Sequence, residues 1–306
     1  MSQSIVLIYN PSSGYFIENG IDDPEQYFQA QWDEQAPEGE LALLSIETIR
    51  NGTLRACLLR IQPDQVWIAG GDGSAIAVAE LAVELNIPLG VLPCGTMNLL
   101  ARDIGMSLDI AQAFQQLHDS DVQLIDMATV NGRRFLCISN LGMSTRLTEQ
   151  REQLRQQSGW VRWPLMFGYM LKYLFAYPTL DVQIRQGNDV HILRTRSISI
   201  SNNPLASHSW LIPERKRLDG GKLGIYIIQE RSVWSLPRMI FRLFSRDWQD
   251  DDDLLHFSAD AVRISFRRSS KKVQIMSDGE LSQETLPLEY QTLPKALQVL
   301  RPKEAL

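Results

Sequence analysis

The chain of 306 residues is poor in the side chains that most often build metal centres and covalent frameworks: it has three cysteines and four histidines. Cys57, Cys94 and Cys137 are odd in number, lack ligand spacing and lie in or beside apolar stretches. They exclude a disulfide scaffold and predict reduced thiols in a cytosolic compartment. His118, His191, His208 and His256 are scattered, so no histidine-based metal site is predicted. Long apolar runs are also missing. The most apolar longer stretch, Trp160 to Tyr177, contains Arg162, Pro164 and Lys172, which falls short of the ~20 residues that span a bilayer. The run Ile5 to Tyr9 is too short for a signal core and has no basic flank, so it reads as a first strand. The expected location is cytoplasmic and peripheral to the membrane. No lysine or arginine precedes Arg50, and the net charge of −6 argues against nucleic acid as the main partner. A G-x-x-x-x-G-K-[ST] loop, G-x-G-x-x-G spacing and a G-x-S-x-G elbow are all absent, which removes the P-loop, dinucleotide-fingerprint and serine-hydrolase readings.

What is present is a strand, a glycine turn and a helix start. Val66 to Ala69 has strand character and runs into Gly70-Gly71-Asp72-Gly73-Ser74, followed by a helical stretch over 75–85. Such a turn offers backbone N–H groups to an anion, phosphate above all. A bare carboxylate would repel phosphate, so Asp72 is expected to hold Mg²⁺ or to accept a proton from an attacking hydroxyl. A tight connection in an α/β sheet is the competing reading. A second cluster follows the short strand 89–92, in Cys94-Gly95-Thr96-Met97-Asn98 with Arg102. Thr96 is expected to cap the next helix, Gly95 to admit a ligand, and Asn98 and Arg102 to share one helix face. A third lies at Met276-Ser277-Asp278-Gly279-Glu280, where a strand ends in a hairpin-type turn carrying two acids.

Together with Asn10-Pro11-Ser12-Ser13-Gly14, these segments resemble, in order and approximate spacing, the catalytic domain shared by bacterial soluble diacylglycerol kinases and sphingosine kinases. The resemblance covers nearly the whole chain. It implies that Asn10, Pro11, Ser13 and Gly14 line a nucleotide pocket, with Gly70, Gly71, Asp72, Gly73, Ser74, Gly95, Thr96 and Asn98 around the phosphates. Thr48 is a looser carry-over. It further implies ATP and Mg²⁺, and Glu280 as general base on a lipid hydroxyl with Asp278 beside it and Asp72 as the rival acid. The chain departs from the family at Ser74, where threonine is usual, at Leu99, where many relatives carry aspartate, and at Gly142-Met143-Ser144-Thr145, where Gly-Phe-Asp-Ala is frequent. The family's secondary metal motif aligns with Gly220 and leaves Asp219 one residue early, so Asp219 is the candidate metal ligand there.

The expected architecture is a doubly wound parallel α/β domain over residues 1–126, a β-rich, sandwich-like domain over 127–291 with helical insertions, and a return of 292–306 to the first domain. Strands are expected at 5–9, 65–69 and 89–92, then at 135–139, 181–185, 197–201, 223–228, 261–265 and 273–276. Helices are expected at 109–118, 160–177 and 234–248. The nucleotide site is expected in the interdomain cleft. The stretch Trp234 to Trp248 puts Arg238, Arg242 and Arg246 on one face, suited to an anionic membrane surface or to a solvated helix side. The run 249–253 reads as an exposed loop. The expected function is an ATP-dependent lipid kinase. A soluble NAD-kinase-like phosphotransferase and a non-catalytic nucleotide- or lipid-binding regulator remain as alternatives, and homodimerisation stays open.

Overall fold

Strands buried on both faces of a parallel sheet require near-continuous apolar runs, and the N-terminal third supplies three of them. The computed structural model describes residues 3–35, 39–142, 145, 179–206, 214–215, 217–229, 254–267 and 271–303. The expected helices at 160–177 and 234–248, the loop at 249–253, and Met143 and Ser144 lie outside the described residues. Two compact units divide the chain, one of 1–127 with 294–306 and the other of 128–293.

In the first unit, β1 (Ser4–Tyr9) is followed by α1 (Gly14–Glu18), α2 (Pro24–Gln35) and β2 (Glu40–Ser45). Then come α3 (Glu47–Arg50), α4 (Leu54–Ile61), β3 (Gln65–Gly70), α5 (Asp72–Leu85) and β4 (Leu89–Pro93). The unit continues with α6 (Leu99–Asp103), α7 (Ile110–His118) and most of β5 (Ser120–Val130). β1 pairs in parallel with β2 on one side and β3 on the other, and β4 continues beyond β3. The order is therefore β2-β1-β3-β4. From β1 the chain moves outward to β2, then returns across β1 to β3 and onward to β4. Right-handed crossovers in opposite directions place the β1–β2 and β3–β4 helices on opposite faces. This is the doubly wound arrangement, with its switch point between β1 and β3. Beyond β4, Val299 near the chain's end pairs in parallel with Leu89. The strand β2 was not anticipated, because Glu40-Leu41-Ala42-Leu43-Leu44 carries helix-forming residues; parallel pairing with β1 along its full length overrides that preference.

One face of this sheet is lined with aromatic rings. Trp67 is fully buried, with Phe114 at 5.3 Å, His118 at 5.1 Å and Trp32 at 6.4 Å between ring centroids. Gly90 leaves room for it, since a Cβ there would meet Trp67 Cδ1 at 2.6 Å.

The second unit begins at the end of β5 with β6 (Arg133–Phe135) and β7 (Ile138–Gly142). It continues with β8 (Leu180–Gln186), β9 (Asp189–Asn202), β10 (Leu223–Gln229), β11 (Leu254–Ala259), β12 (Ala261–Phe266), β13 (Lys272–Ser277) and β14 (Glu280–Thr285). β15 (Leu288–Pro302) starts in this unit and ends in the first. Pairing runs β14-β13-β7-β9-β10-β11 in one direction and β9-β8-β12-β15 in the other. The long β9 belongs to both sets: it pairs with β8 up to Thr195 and with β7 from Ser197. There the Thr195 hydroxyl donates to Ile228 O at 2.7 Å and accepts from Ser197 N at 3.1 Å, beside a register shift in β10. Alternate residues of both sets meet in one core, including Leu141, Ile184, Ile200, Ile225, Ile264, Ile275 and Tyr290. This is a sandwich-like arrangement around one core. The single strand expected over 135–139 is in fact two, broken at Leu136 and Cys137, whose amides turn to a side chain described below.

His118 supplies a pH test. Burial lowers its pKa, and its Nε2 has no hydrogen-bond partner among the rings. The depressed folded value means that the unfolded chain binds the proton first, so stability falls as pH drops through and below the ordinary histidine value near 6.5. Thermal unfolding followed from pH 7.5 to 5 is expected to show this loss, and His118→Phe to reduce the slope.

Candidate active site

Three loops leave the carboxyl ends of β1, β3 and β4, the edge at which open α/β sheets bind ligands. The loop after β1 holds Asn10, Pro11, Ser13 and, at the start of α1, Gly14. Asn10 N donates to Ala69 O at 3.0 Å, its Oδ1 accepts from Ser12 N at 3.1 Å, and its Nδ2 donates to Ser74 Oγ at 3.3 Å. Asn10 thus ties the β1 loop to the glycine turn after β3, across the switch point. Ser13 is buried, and its Oγ has no hydrogen-bond partner. Pro11 is exposed. Thr48, in α3 after β2, donates its hydroxyl to Ser45 O at 2.8 Å, within its own loop.

The glycine turn and the β4 loop are pressed together. Cys94 N donates to Gly70 O at 3.2 Å, and Tyr15 N donates to Cys94 O at 3.3 Å. A Cβ on Gly95 would lie 2.4 Å from Gly71 Cα, so Gly95 excludes a side chain, whereas a Cβ on Gly71 would stand 3.4 Å from Gly95 Cα. A Cβ on Gly70 would meet Ser74 Cβ at 2.7 Å. Gly95 therefore serves backbone-to-backbone packing, where the sequence suggested room for a ligand. Gly71 is the N-cap of α5, which starts at Asp72 and so includes the turn's Gly73 and Ser74; Ala75 N donates to Gly71 O at 3.0 Å. The amides of that first turn point along the helix axis toward the loop edge. Burial pushes the Cys94 thiol up to about 12, which leaves it neutral and unreactive.

Three expectations for this edge change. Thr96 is exposed and does not cap α6; the N-cap is Asn98, in the left-handed region at φ 52°. Asn98 and Arg102 are not a ligand-reading pair on one helix face. Asn98 Oδ1 accepts from Gly95 N at 2.8 Å while its Nδ2 donates to Gly95 O at 2.8 Å and Pro93 O at 3.2 Å, and Arg102 Nε donates to Met97 O at 3.0 Å. Both side chains hold their own loop in shape. Asp72 takes over the capping: its carboxylate accepts from Leu99 N at 2.7 Å. Burial raises its pKa, and the amides of Leu99, Leu100 and Asn98 pull against that rise.

In the second unit, the β13–β14 hairpin turns at Asp278 (φ 49°) and Gly279 (φ 87°), the left-handed pair that a type I′ turn requires. The Asp278 carboxylate is fully buried and accepts from the amides of Leu136 at 2.5 Å, Cys137 at 2.9 Å and Ile138 at 3.0 Å. These are the amides released where β6 ends before β7 begins. Burial pushes the Asp278 carboxyl up; the three amides and the Arg215 guanidinium oppose it. Arg215 grips the same segment from its carbonyl side, through Leu136 O at 2.7 Å and Asn202 O at 3.0 Å. Asp278 thus anchors the turn and does not reach solvent.

Glu280, one residue past the turn, is half-exposed and paired with Arg133 at 2.8 Å. Sequence reasoning missed Arg133. Its signal was available in Asn131-Gly132 (φ 49° and 84°), a second left-handed turn immediately before it, matching the Asp-Gly turn before Glu280. Asn131 Nδ2 bonds Thr285 O at 2.9 Å and so joins the two hairpins. Asp219, the candidate metal ligand, is 3.1 Å from Arg217 Nε. Among the described residues no group of three or more His, Cys, Asp or Glu side chains could hold a metal ion.

Asp278→Asn would set an amide NH₂ against backbone donors in a buried site. It is expected to destabilise the protein by about 2–4 kcal/mol, read as a fall in the denaturation midpoint with an unchanged slope.

Two family models divide the chain between them. Residues 4–130 match the diacylglycerol kinase catalytic domain, and residues 138–301 match the YegS C-terminal NAD kinase beta sandwich-like domain. A diacylglycerol kinase of Bacillus subtilis is 26% identical over 313 residues, covering 97% of this chain and 96% of the relative. A diacylglycerol kinase of Staphylococcus epidermidis is 25% identical over 305 residues, covering 97% and 92%. The crystal structure of a diacylglycerol kinase from Bacillus anthracis superposes with a TM-score of 0.68 at 17% identity, over 100% of this chain and 99% of that one; at that identity it speaks to the fold. A parallel unit with its loops at the switch point, a β-sandwich unit with the Asp-Gly-Glu hairpin, and two models covering them in that order lead to one conclusion: the chain belongs to the diacylglycerol kinase catalytic-domain family of lipid kinases.

Proposed function

We propose that the protein transfers the γ-phosphate of ATP to a hydroxyl of diacylglycerol or a closely related lipid. The observation that carries the nucleotide half is the loop edge of β1, β3 and β4, where Ser13 Oγ is buried without a partner beside a glycine turn that opens α5. A buried hydroxyl without a partner is costly, and a phosphate oxygen is the partner this edge suits. Asn10, Ser13, Gly14 and the Gly70–Ser74 turn would cradle the phosphates through amides and hydroxyls. Asp72 and Asn98 would keep the neighbouring loop in place, with Gly95 closing it onto Gly71. Pro11, Thr48 and Thr96 are the outlying members of this set. Mg²⁺ belongs to this reading as the companion of the nucleotide's phosphates, neutralising their charge in phosphoryl transfer.

The acceptor half rests on Glu280. Of the three acids weighed as bases, Asp72 and Asp278 have their carboxylates engaged by backbone amides, whereas Glu280 is half-exposed and held by one arginine. As general base it takes the proton of the acceptor hydroxyl; that oxygen bonds to the γ-phosphorus, the bond to the β–γ bridging oxygen breaks, and ADP leaves. The lipid family supplies the acceptor class. No helix among the described residues is long and apolar enough to cross a membrane.

Two variants separate the halves. Ser13→Ala is expected to raise the KM for ATP about ten-fold while leaving kcat and thermal stability nearly unchanged, since no intramolecular bond is lost. Glu280→Gln is expected to lower turnover by at least ~100-fold with ATP binding intact. Both are measured by transfer of labelled γ-phosphate to diacylglycerol, monoacylglycerol, phosphatidylglycerol, sphingosine and ceramide in mixed micelles, with NAD as a soluble control. Label on NAD, or on nothing, overturns the reading.

A further inference from the structure

We propose that the outer face of the β9–β8–β12 strands in the second unit docks on an anionic lipid bilayer, an inference that rests on the lipid-kinase reading for its acceptor but not for its test. The face follows from register. Val182 and Ile184 of β8 and Val262 and Ile264 of β12 point into the sandwich core, so Asp181, Gln183 and Arg185, and Arg263 and Ser265, point outward. Along β9 the outward residues are Val190, Ile192 and Arg194.

Pairing arranges them in three rows. Val190 lies opposite Arg185, which lies opposite Arg263, which lies opposite Glu289. Ile192 lies opposite Gln183, and Gln183 opposite Ser265. Arg194 lies opposite Asp181, whose carbonyl accepts from the amide of Arg267 at 3.0 Å.

Two features of this map are unfavourable for a face that meets only water. Val190 is 44% and Ile192 62% exposed on neighbouring outward positions of one strand, where a polar residue costs nothing. Arg185 and Arg263 oppose each other directly across an antiparallel pair, an arrangement that destabilises a sheet. Arg194 has Asp181 at 3.1 Å, and Arg263 has Glu289 at 3.5 Å. Arg185 and Arg267 have no ion pair among the described residues. Four arginines thus face two carboxylates on a chain whose net charge is −6. Cations flanking protruding aliphatic side chains match a bilayer of anionic headgroups: the arginines meet phosphates, and Ile192 and Val190 enter the acyl boundary. The same face of a second copy, equally rich in arginine, is a poorer electrostatic match.

The test is co-sedimentation of the full chain with vesicles of 30% phosphatidylglycerol in phosphatidylcholine, against pure phosphatidylcholine. Binding is expected with the anionic vesicles only and is expected to weaken in high salt. Arg185→Glu and Ile192→Ser should each weaken it about ten-fold or more. Arg60→Glu, on exposed α4 of the other unit, makes the same change in net charge and should leave it near wild type. Phosphoryl transfer to a monomeric short-chain diacylglycerol should be the same in all of these proteins. Wild-type levels of vesicle binding in the Arg185 and Ile192 variants overturn the assignment, as does a wild type that ignores anionic vesicles. Self-association lost in those variants with vesicle binding untouched would assign the face to a second copy and likewise overturn it. A wild type that binds vesicles but phosphorylates no lipid would defeat the kinase reading while leaving this surface standing.

Discussion

Backbone amides that leave regular structure inside a protein must find an acceptor, and in this chain buried or half-buried aspartates provide it. Asp278 collects three amides where β6 gives way to β7. Asp72 collects the first amide of α6. Asp126, wholly buried, accepts from Lys295 N at 2.8 Å, at a residue in the left-handed region. In each case a carboxylate far away in sequence closes a break in the backbone ladder. One carboxylate can accept several such bonds, so these irregular segments are tied to the elements beside them. Without these contacts the loops that carry function would have no fixed shape.

This use of acids changes how the glycine-and-acid motifs are understood chemically. An aspartate amid three glycines reads as a metal ligand or a base, since nothing nearby in sequence neutralises it. In the folded chain its partner comes from twenty-seven residues further on. The glycines share in that arrangement: Gly71 and Gly95 bring two loops into backbone contact, Asp72 fastens one to the other, and Asn98 holds the second in shape. What is left for a ligand is the first turn of α5, the Asn10 loop and the buried Ser13 hydroxyl, which has no partner within the protein. Positioning of this kind is what phosphoryl transfer asks of a protein, because the chemistry depends on holding the phosphates and spreading their charge.

In the sandwich unit the two left-handed turns have a similar logic. Asn131-Gly132 and Asp278-Gly279 each reverse the chain in two residues, and each is followed at once by a charged side chain that meets the other. The rigid turns, and the anchoring of one of them by Asp278 and Arg215, keep a half-exposed glutamate in a defined place. An exposed ion pair contributes little to stability, so the value of Arg133 to the protein lies in where it holds the Glu280 carboxylate.

The sequence by itself determined the class of fold. Apolar runs at Ile5 to Ile8, Val66 to Ala69 and Leu89 to Leu92, separated by helical stretches, specify buried parallel strands, because only such strands need apolar side chains on both faces. The alternating patterns further on specify half-buried strands for the same reason. The family was legible because its turns use residue types that few others can replace, glycine above all. The strand β2 was hidden by helix-forming residues, the break at Leu136 and Cys137 by an uninterrupted apolar pattern, and the roles of Asp72 and Arg133 by the distance to their partners. Only the tertiary structure decided those, since a hydrogen bond between residues far apart in the chain leaves no period or spacing from which to read it.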